Sequence, residues 1–589
     1  MTAFDFYTQE KAIQKKHLFN ANRQLNVSSM MRLILFLGTA FGIYYFYPDW
    51  KIAALIGVVG FGIFLYLVSR HSDLKYKRNK IDELVKLNET ELEVLNRNFS
   101  HLATGQEFED HDHPFSQDID LFGNGSFFQY LNRTSLKDGK KKLAGILTEN
   151  SIANIDEKQE AIKELAEKAT WRQEFSAVAK LVKTENTSSN VLSWLADYKT
   201  FVPKIMFWLS WTFTAISLLL IAAYYTQSIN GWFVFGWFLV GWGITAIYVK
   251  KINVMANNVG KVQDTFHQYY QLLGMIESVT FKSEILKEQQ LAVKSEENKA
   301  SKILKSFSKA IDALDQRNNA IFIAIGNGFL LWDLRQSLRL EKWILAHHVN
   351  VKKWFEVIEF IDAYNSLGNF AFNHAHYSFP EIHSDKSVIK AENLGHPLLN
   401  PEKRVDNDLL IDNEHFLIIT GANMAGKSTF LRTVSLHIVM ANIGLPVCAE
   451  ESEYTPIKLI TSMRTTDSLS DDESYFFSEL KRLQYIVNEI QEDKYFIILD
   501  EILKGTNSTD KAIGSRKFIQ KLVKSRSTGI IATHDLSLCE VANELNEVEN
   551  HYFDAEIVND ELFFDYKFKE GICQNMNASF LLKKMNIVD

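Results

Sequence analysis

From Ile205 to Val249 the chain carries no Asp, Glu, Lys or Arg, and no other stretch of it stays uncharged for so long. A helix in a water-soluble core keeps a polar face, whereas one that is apolar all round has to be buried on every side. Two membrane spans joined near Thr226–Gly231 fit this stretch, with Lys199 and Lys204 before it and Lys250 and Lys251 after it on one side of a bilayer. The competing reading is a helical hairpin buried inside a large soluble fold. The same pattern occurs near the start, where Leu33–Pro48 and Ile52–Ser69 are uncharged and only Asp49-Trp50-Lys51 separates them. Each run is close to the short limit of roughly 17–25 residues for a spanning helix. Tyr44, Tyr45, Tyr47 and Trp50 supply interfacial aromatics. Basic residues flank this first pair on both outer sides, Lys11, Lys15, Lys16, Arg23 and Arg32 before it and Arg70, Lys75, Lys77, Arg78 and Lys80 after it. Four transmembrane helices are therefore expected, with the N-terminus and the C-terminal domain in the cytoplasm and the lipid bilayer as a partner. No charged side chain lies within the spans, which argues against an ion or proton path through them.

A second constraint lies in the C-terminal third. Phe416-Leu-Ile-Ile-Thr420 is an apolar run that breaks into Gly421-Ala422-Asn423-Met424-Ala425-Gly426-Lys427-Ser428-Thr429 and resumes as a helical pattern. Strand, glycine-bracketed loop and helix in that order cradle a polyphosphate, because backbone N–H groups curl around it and the helix N-terminus faces the anion. Lys427 then reaches the β and γ phosphates and Ser428 ligates Mg²⁺. A nucleoside triphosphate site needs a carboxylate strand, and Tyr495-Phe-Ile-Ile-Leu-Asp500-Glu501 supplies one. Asp500 at the carboxyl end of a buried strand is placed for the metal, and Glu501 for the attacking water. A third apolar run, Gly529–Thr533, ends in His534, either a γ-phosphate contact or a structural histidine.

Together Thr420–Arg432, Leu499-Asp-Glu-Ile-Leu-Lys-Gly-Thr-Asn-Ser-Thr-Asp510 and Ala532-Thr-His534 resemble the ATPase of the MutS DNA mismatch repair family. Further matches are Ala441–Gly444, Val447–Ala449, Ser474–Glu479 and Asp565-Tyr-Lys-Phe568, and upstream Asp120–Gly123, Phe127–Thr134 and Gly139–Ala144. The resemblance implies an α/β P-loop domain of the ABC type, ATP and Mg²⁺ as cofactors, and hydrolysis of ATP. It places Gly421 to Thr429 on the nucleotide, Ser428 and Asp500 on the metal, and Glu501 and His534 in catalysis. It also presents Ser474 across a homodimer of ATPase domains to the neighbour's nucleotide, with Thr506 to Asp510 beside it. DNA is an implied partner. The chain departs from that family where an aromatic residue would stack on the adenine: Lys403-Arg-Val-Asp-Asn407 stands there, with Arg404 as a substitute for stacking. No mismatch-reading domain, aromatic wedge or DNA clamp is identifiable, so a divergent, membrane-anchored member is expected.

The expected organisation is a cytoplasmic segment 1–32, a first hairpin 33–69, an amphipathic stalk and linker 70–115 and the first part of a helical core 116–200. A second hairpin 205–249, a core and lever region 250–386 and the ATPase domain 387–589 follow. Within this scheme Asn253–Arg317 is a long helical stretch that resembles that family's lever helices, and Ile321–Trp332 reads as a buried helix in preference to a fifth span. Lys140-Lys-Lys142 is a candidate for DNA phosphates, although such a run is usually a solvated face. The net charge of −8 argues against a protein that coats nucleic acid indiscriminately and leaves room for a local basic channel. His111 and His113, and His374 and His376, are expected to be loop or core residues rather than metal ligands. Cys448, Cys539 and Cys573 have no metal-ligand spacing and read as reduced thiols. Two outputs remain open: ATP-driven DNA binding near a membrane, and an ABC-type machine that moves its spans without DNA.

Overall fold

The computed structural model describes residues 2–181, 188–294, 299–384, 387–422, 424–464, 475–504, 506–558 and 561–574. It opens with α1 (Ala3–Tyr45) and α2 (Trp50–Leu95), a long antiparallel hairpin. Pro48 sits in the turn, where it cannot continue a helix, and the Asp49 carboxylate accepts the Lys51 N–H to start the second arm. The short helices α3 (Phe127–Leu131), α4 (Lys137–Thr148), α5 (Ile155–Glu167), α6 (Ala169–Lys180) and α7 (Ser188–Ala196) follow. Then come the second hairpin, α8 (Met206–Tyr225) and α9 (Gly231–Ser278), and α10 (Glu284–Val293), α11 (Ala300–Asp315), α12 (Ala320–Leu330) and α13 (Trp332–Asn373).

By length and composition α1, α2, α8 and α9 can each cross a membrane. Their apolar windows are only 6%, 11%, 22% and 11% buried, so the described residues do not cover them. The helices run well past the uncharged stretches. The segment before Leu33 is part of α1, the stalk is the continuation of α2, and α9 carries 48 residues without a break. The long helical stretch expected over Asn253–Arg317 is the end of α9 followed by α10 and α11. The 105–114 linker is folded: His113 Nε2 lies 3.0 Å from the Thr148 carbonyl, and its Nδ1 accepts from the N–H groups of Phe115 and Ser116.

The first hairpin is rooted far from its apolar tip. Tyr7 is fully buried and donates to Asn369 (3.1 Å) and Asn373 (2.8 Å) at the end of α13. Glu91 on α2 accepts from Arg133 Nε (2.6 Å) and Asn373 (2.8 Å), and Arg172 on α6 donates to Asn369 (2.8 Å). A buried network of this kind favours one arrangement because every broken pair leaves a charge or amide desolvated.

Asp362 on α13 is also buried and accepts the N–H groups of Ser135 and Leu136, which capture the start of α4. Gly139 makes room for it, since a Cβ there would lie 2.1 Å from the carboxylate. Burial pushes the Asp362 carboxyl up to about 7, against the pull of those two amides and Lys180. Its ordinary value is ~3.9, so the folded protein holds the proton more tightly than the unfolded chain. The resulting stabilisation is complete below about pH 4 and fades as pH rises through 7, at roughly 1.4 kcal/mol per pH unit. Asp362→Asn is expected to flatten that slope and to match or exceed the wild type at pH 8. Denaturation midpoints of the detergent-solubilised protein between pH 4.5 and 8 check this.

After α13 the chain enters an α/β domain. A small sheet, β1 (Glu381–Ile382), β2 (Ser387–Leu394), β3 (Asn407–Asp412) and β5 (Glu451–Tyr454), runs in the order β1-β5-β2-β3. The main sheet contains β4 (Phe416–Gly421), β6 (Lys458–Ser462), β7 (Tyr495–Asp500), β8 (Thr528–Ala532), β9 (Val548–Phe553) and β12 (Phe568–Glu570), in the order β12-β9-β4-β8-β7-β6. Strands β9, β4, β8, β7 and β6 are parallel and β12 is antiparallel. β10 (Glu556–Val558) and β11 (Glu561–Phe563) form a separate hairpin. Helices α14 (Lys427–Asn442), α15 (Tyr475–Glu492) and α16 (Ser508–Lys524) complete the domain. β4 is buried at every residue, as its unbroken apolar run requires of a central parallel strand.

The helical region is bolted to this domain. The Asp118 carboxylate accepts Thr461 Oγ1 (2.5 Å) and the N–H groups of Met463 (3.1 Å) and Arg464 (2.8 Å). Asn150 pairs its side-chain amide with both the N–H and the carbonyl of Leu459, each at 2.9 Å.

Candidate functional site

The main sheet brings three strand ends together. β4 lies between β9 and β8, and β8 pairs with β7, so Gly421, Asp500 and Ala532 end side by side. The loop after β4 turns at Gly426 (φ +106), a left-handed conformation that favours glycine, and leads into α14. At Gly421 a Cβ would meet the Phe553 carbonyl oxygen at 2.5 Å. Both glycines are thus required by the backbone's path.

Lys427 is almost fully buried at the start of α14. Its ammonium donates to the carbonyls of Gly421 (2.7 Å) and Ala422 (3.1 Å) and lies 3.2 Å from His534 Nε2. Burial lowers its pKa, and the carboxylates of Asp500 and Glu501 oppose that shift. Ser428 Oγ donates to Asp500 Oδ2 at 2.9 Å. A hydroxyl and a carboxylate that close together form an oxygen donor set suited to a hard divalent cation such as Mg²⁺.

Glu501 Oε1 lies 3.0 Å from His534 Nε2, the nitrogen that also faces Lys427. One Nε2 cannot donate to Glu501 and accept from Lys427 at once, so its proton decides which neighbour it serves. The His534 hydrogen bond, helped by its charge and by Lys504 and Lys511, holds the Glu501 carboxyl down to about 2 against burial. Glu501 has φ +53 and Leu503 has φ +59, so the backbone just past β7 is held in left-handed conformations at non-glycine residues. Two contacts secure that turn. The Glu501 N–H donates to the Ala532 carbonyl (2.9 Å), and the buried Glu479 carboxylate on α15 accepts the N–H groups of Leu503 (2.5 Å) and Lys504 (3.0 Å).

These groups line one cavity of about 490 Å³ that also includes Ala422, Met424, Gly426, Thr429, His396 and Tyr566. Tyr566 lies close over Gly426, its ring 3.1 Å from where a Cβ would stand. Arg404 is on the cavity wall, its guanidinium forked onto Asp406 at 2.5 and 2.9 Å. Gly421 and Ala425 belong to the same loop, with Ala425 fully buried beneath it. Asn423 and Ser474 lie outside the described residues. Glu479 and Tyr566 had been visible in the sequence only as members of wider motifs. No local spacing gave Glu479 a hydrogen-bonding role or turned Tyr566 towards the loop.

Residues 417–584 match the family description "MutS domain V". This part of the chain is therefore similar to domain V of the MutS family. Over 267 residues it is 34% identical to "MutS protein homolog 4" of Homo sapiens, covering 41% of this chain and 28% of that protein. It is 29% identical over 267 residues to "DNA mismatch repair protein MutS" of Staphylococcus haemolyticus, covering 44% of this chain and 30% of that one. The corresponding protein of Clostridium novyi is 32% identical over 231 residues, covering 38% and 25%. The chain therefore spans less than a third of the length of these relatives.

Other candidate groups are placed elsewhere. Lys140 is paired with Glu107, while Lys141 and Lys142 share a cavity with Asp138, Glu149, Glu356 and Glu359. The run is thus interleaved with acids rather than presented as a basic patch. His374 caps α13 and is buried, bonded to Tyr130 Oη and the Phe370 carbonyl, each at 2.8 Å. Among the described residues no group of three or more His, Cys, Asp or Glu side chains is arranged to hold a metal. Cys448, Cys539 and Cys573 are buried, and no disulfide is present among the described residues.

Proposed function

We propose that this chain is a membrane-anchored MutS-family ATPase with an ABC-type P-loop domain, acting as a homodimer whose two heads share composite ATP sites. The observation that carries this reading is the convergence of Lys427, Ser428, Asp500, Glu501 and His534 on one cavity at the carboxyl edge of a parallel sheet. Lys427 holds the β and γ phosphates when it gives up the Gly421 and Ala422 carbonyls. Ser428 and Asp500 hold Mg²⁺, which supplies charge neutralisation on the phosphates when bound. Glu501 orients the attacking water and takes its proton, and His534 contacts the γ-phosphate. Asn423 lines the loop, and Ser474 serves the partner subunit's nucleotide. Tyr566 stacks on the base, with Arg404 pinned on the wall by Asp406. Four apolar helices whose windows are almost uncovered support insertion of both hairpins in a bilayer, with the ATPase domain on the cytoplasmic side. The relatives' printed role supports coupling of ATP turnover to DNA of the mismatch-repair type.

A second reading has its own observation. The buried Tyr7 and Glu91 contacts root the first hairpin in the last turns of α13, immediately before the ATPase domain. Head closure would then move the hairpins directly, as in an ABC-type machine that needs no DNA.

ATP turnover by the full chain, in detergent and in vesicles, separates the two. Homoduplex, mismatched and branched DNA are titrated at low and physiological salt, with Glu501→Gln as the blank. A DNA-dependent rate that falls with salt supports the first reading. A rate indifferent to DNA but sensitive to lipid composition overturns it in favour of the second, and absence of Glu501-dependent turnover overturns both.

A further inference from the structure

Helix α12 is Ala-Ile-Phe-Ile-Ala-Ile-Gly-Asn-Gly-Phe-Leu, apolar but for Asn327. Eleven residues at ~1.5 Å each reach about 16 Å, half of a hydrocarbon core of roughly 30 Å. It cannot cross. Nor is it buried as its composition leads one to expect, because Ile321 is 73% and Ile325 54% exposed. What it does touch is the middle of the second hairpin. A Cβ on Gly241 would lie 2.4 Å from the Gly328 carbonyl oxygen, and one on Gly328 would lie 2.1 Å from Phe238. Trp242 Nε1 donates to the Ala324 carbonyl at 3.2 Å, and the rings of Phe238 and Phe329 are 5.4 Å apart. Residues 238–242 sit inside the uncharged run 205–249, so α12 lies at the depth of that run.

Both ends of α12 return to one place. The chain enters past Arg317 and leaves past Asp333, and Arg317 Nε is 3.3 Å from Asp333 Oδ2, with the Asp333 side chain 2% exposed. The backbone is satisfied where it breaks from helix. Asn319 accepts the N–H groups of Ile321 and Phe322, Leu331 turns at φ +48 with its own N–H on the Gly326 carbonyl, and Asn327 Oδ1 accepts the Asp333 N–H at 3.0 Å. Irregular backbone at membrane depth requires this, since hydrocarbon offers it no partner. Immediately after the turn, the Arg335 guanidinium stacks on Trp211 at 3.7 Å and the Lys342 ammonium lies over Phe207 at 3.9 Å, a cationic collar against the first turns of α8.

We propose that α12 is a re-entrant membrane helix: it enters the bilayer from the ATPase side beside α9, seats Ile321 and Ile325 among lipid acyl chains, and returns through a base closed by the Arg317–Asp333 ion pair. The acyl region is its occupant because its exposed face continues the uncovered surface of the hairpin against which it is packed. This inference rests on the reading of α8 and α9 as membrane spans, and the test is built to separate the two. In the full chain reconstituted in vesicles, nitroxide labels are placed singly by Ile325→Cys, Ile321→Cys, Leu219→Cys and Lys353→Cys. The three native cysteines are buried, which limits background labelling. Leu219, 70% exposed on α8, reports the hairpin, and Lys353, exposed on α13, reports water. Collision with oxygen relative to a water-soluble nickel chelate is expected to be several-fold higher at 325, 321 and 219 than at 353. If 219 reports lipid while 325 and 321 match 353, α12 is not in the membrane and the proposal is wrong. If 219 also matches 353, the membrane reading of the hairpin fails and takes the proposal with it. Two label sites on α12 guard against one substitution disturbing its packing.

Discussion

Glu501→Gln is expected to lower ATP turnover by about 10²–10⁴-fold, the range by which a positioned general base contributes, while leaving ATP affinity within a few-fold of wild type. The substitution keeps the shape of the side chain, and the amide oxygen still accepts from His534 Nε2, so the 3.0 Å contact that orders the residue survives. What disappears is a negative charge able to take a proton from water. On the proposed reading phosphate binding depends on other atoms, the loop N–H groups, Lys427 and Ser428, and the side chains of Lys427 and Ser428 make their hydrogen bonds to groups other than Glu501. The sign of the pH effect follows from the same geometry. Because the folded carboxyl is held down to about 2, its contribution to stability is present above the unfolded value of ~4.3 and is lost as pH falls through the folded one. The Gln variant is expected to lack that acid-side loss. Steady-state and single-turnover kinetics, with equilibrium binding of a fluorescent ATP analogue, measure both halves of the prediction. A variant that loses binding and turnover in parallel would assign Glu501 to the nucleotide pocket and not to the water.

What the sequence made legible follows from the range of each physical signal. An uncharged run and a glycine-bracketed loop are local, so the apolar runs 33–48, 52–69 and 205–249 and the loop 421–429 were legible as sequence features; the structure places those runs in long helices and brings Lys427, Ser428, Asp500, Glu501 and His534 to one cavity. Helix continuity was harder. α9 passes from an all-round apolar pattern to an amphipathic one at Lys250, and a change of pattern looks like a boundary although the backbone has no reason to break there. α12 was read as buried because apolar composition is the same whether the cover is protein or lipid. The structure leaves Ile321 and Ile325 of this helix exposed. Asp118 and Glu479 were illegible as joints because each acts on N–H groups far along the chain, and a buried carboxylate serving a distant turn has no sequence period. Arg404 lies on the cavity wall as its sequence position allowed, and its pairing with Asp406 is a contact that residue type alone did not show.

Glu479→Ala is the second large effect, and it tests whether the turn after β7 is held from α15. Glu479 is 3% exposed, and its carboxylate accepts Leu503 N–H and Lys504 N–H. Removing it strands the buried Leu503 donor at about 1–3 kcal/mol and releases the part-buried Lys504 N–H beside it. Both donors belong to a turn that already carries positive φ at Glu501 and Leu503, so the turn relaxes and Glu501 leaves its place. Misplacement of a reacting group by about 1 Å can cost about 10²-fold. On the proposed reading kcat should therefore fall by roughly that factor, while KM and nucleotide affinity change little because Lys427 and Ser428 stand on α14. Glu479→Gln retains one acceptor oxygen and is expected to recover most of the lost rate, which a role for the charge alone would not allow. α15 begins at Tyr475, and on the proposed reading, in which Ser474 serves the partner subunit's nucleotide, the same carboxylate would join that helix to the turn that carries Glu501. If that joint transmits dimer closure, the Ala variant should still dimerise with ATP yet fail to gain turnover from dimerisation. Equal loss of kcat, nucleotide affinity and thermal stability in the Ala and Gln variants would reduce Glu479 to a structural residue and leave Glu501 to be positioned by Ala532 and His534.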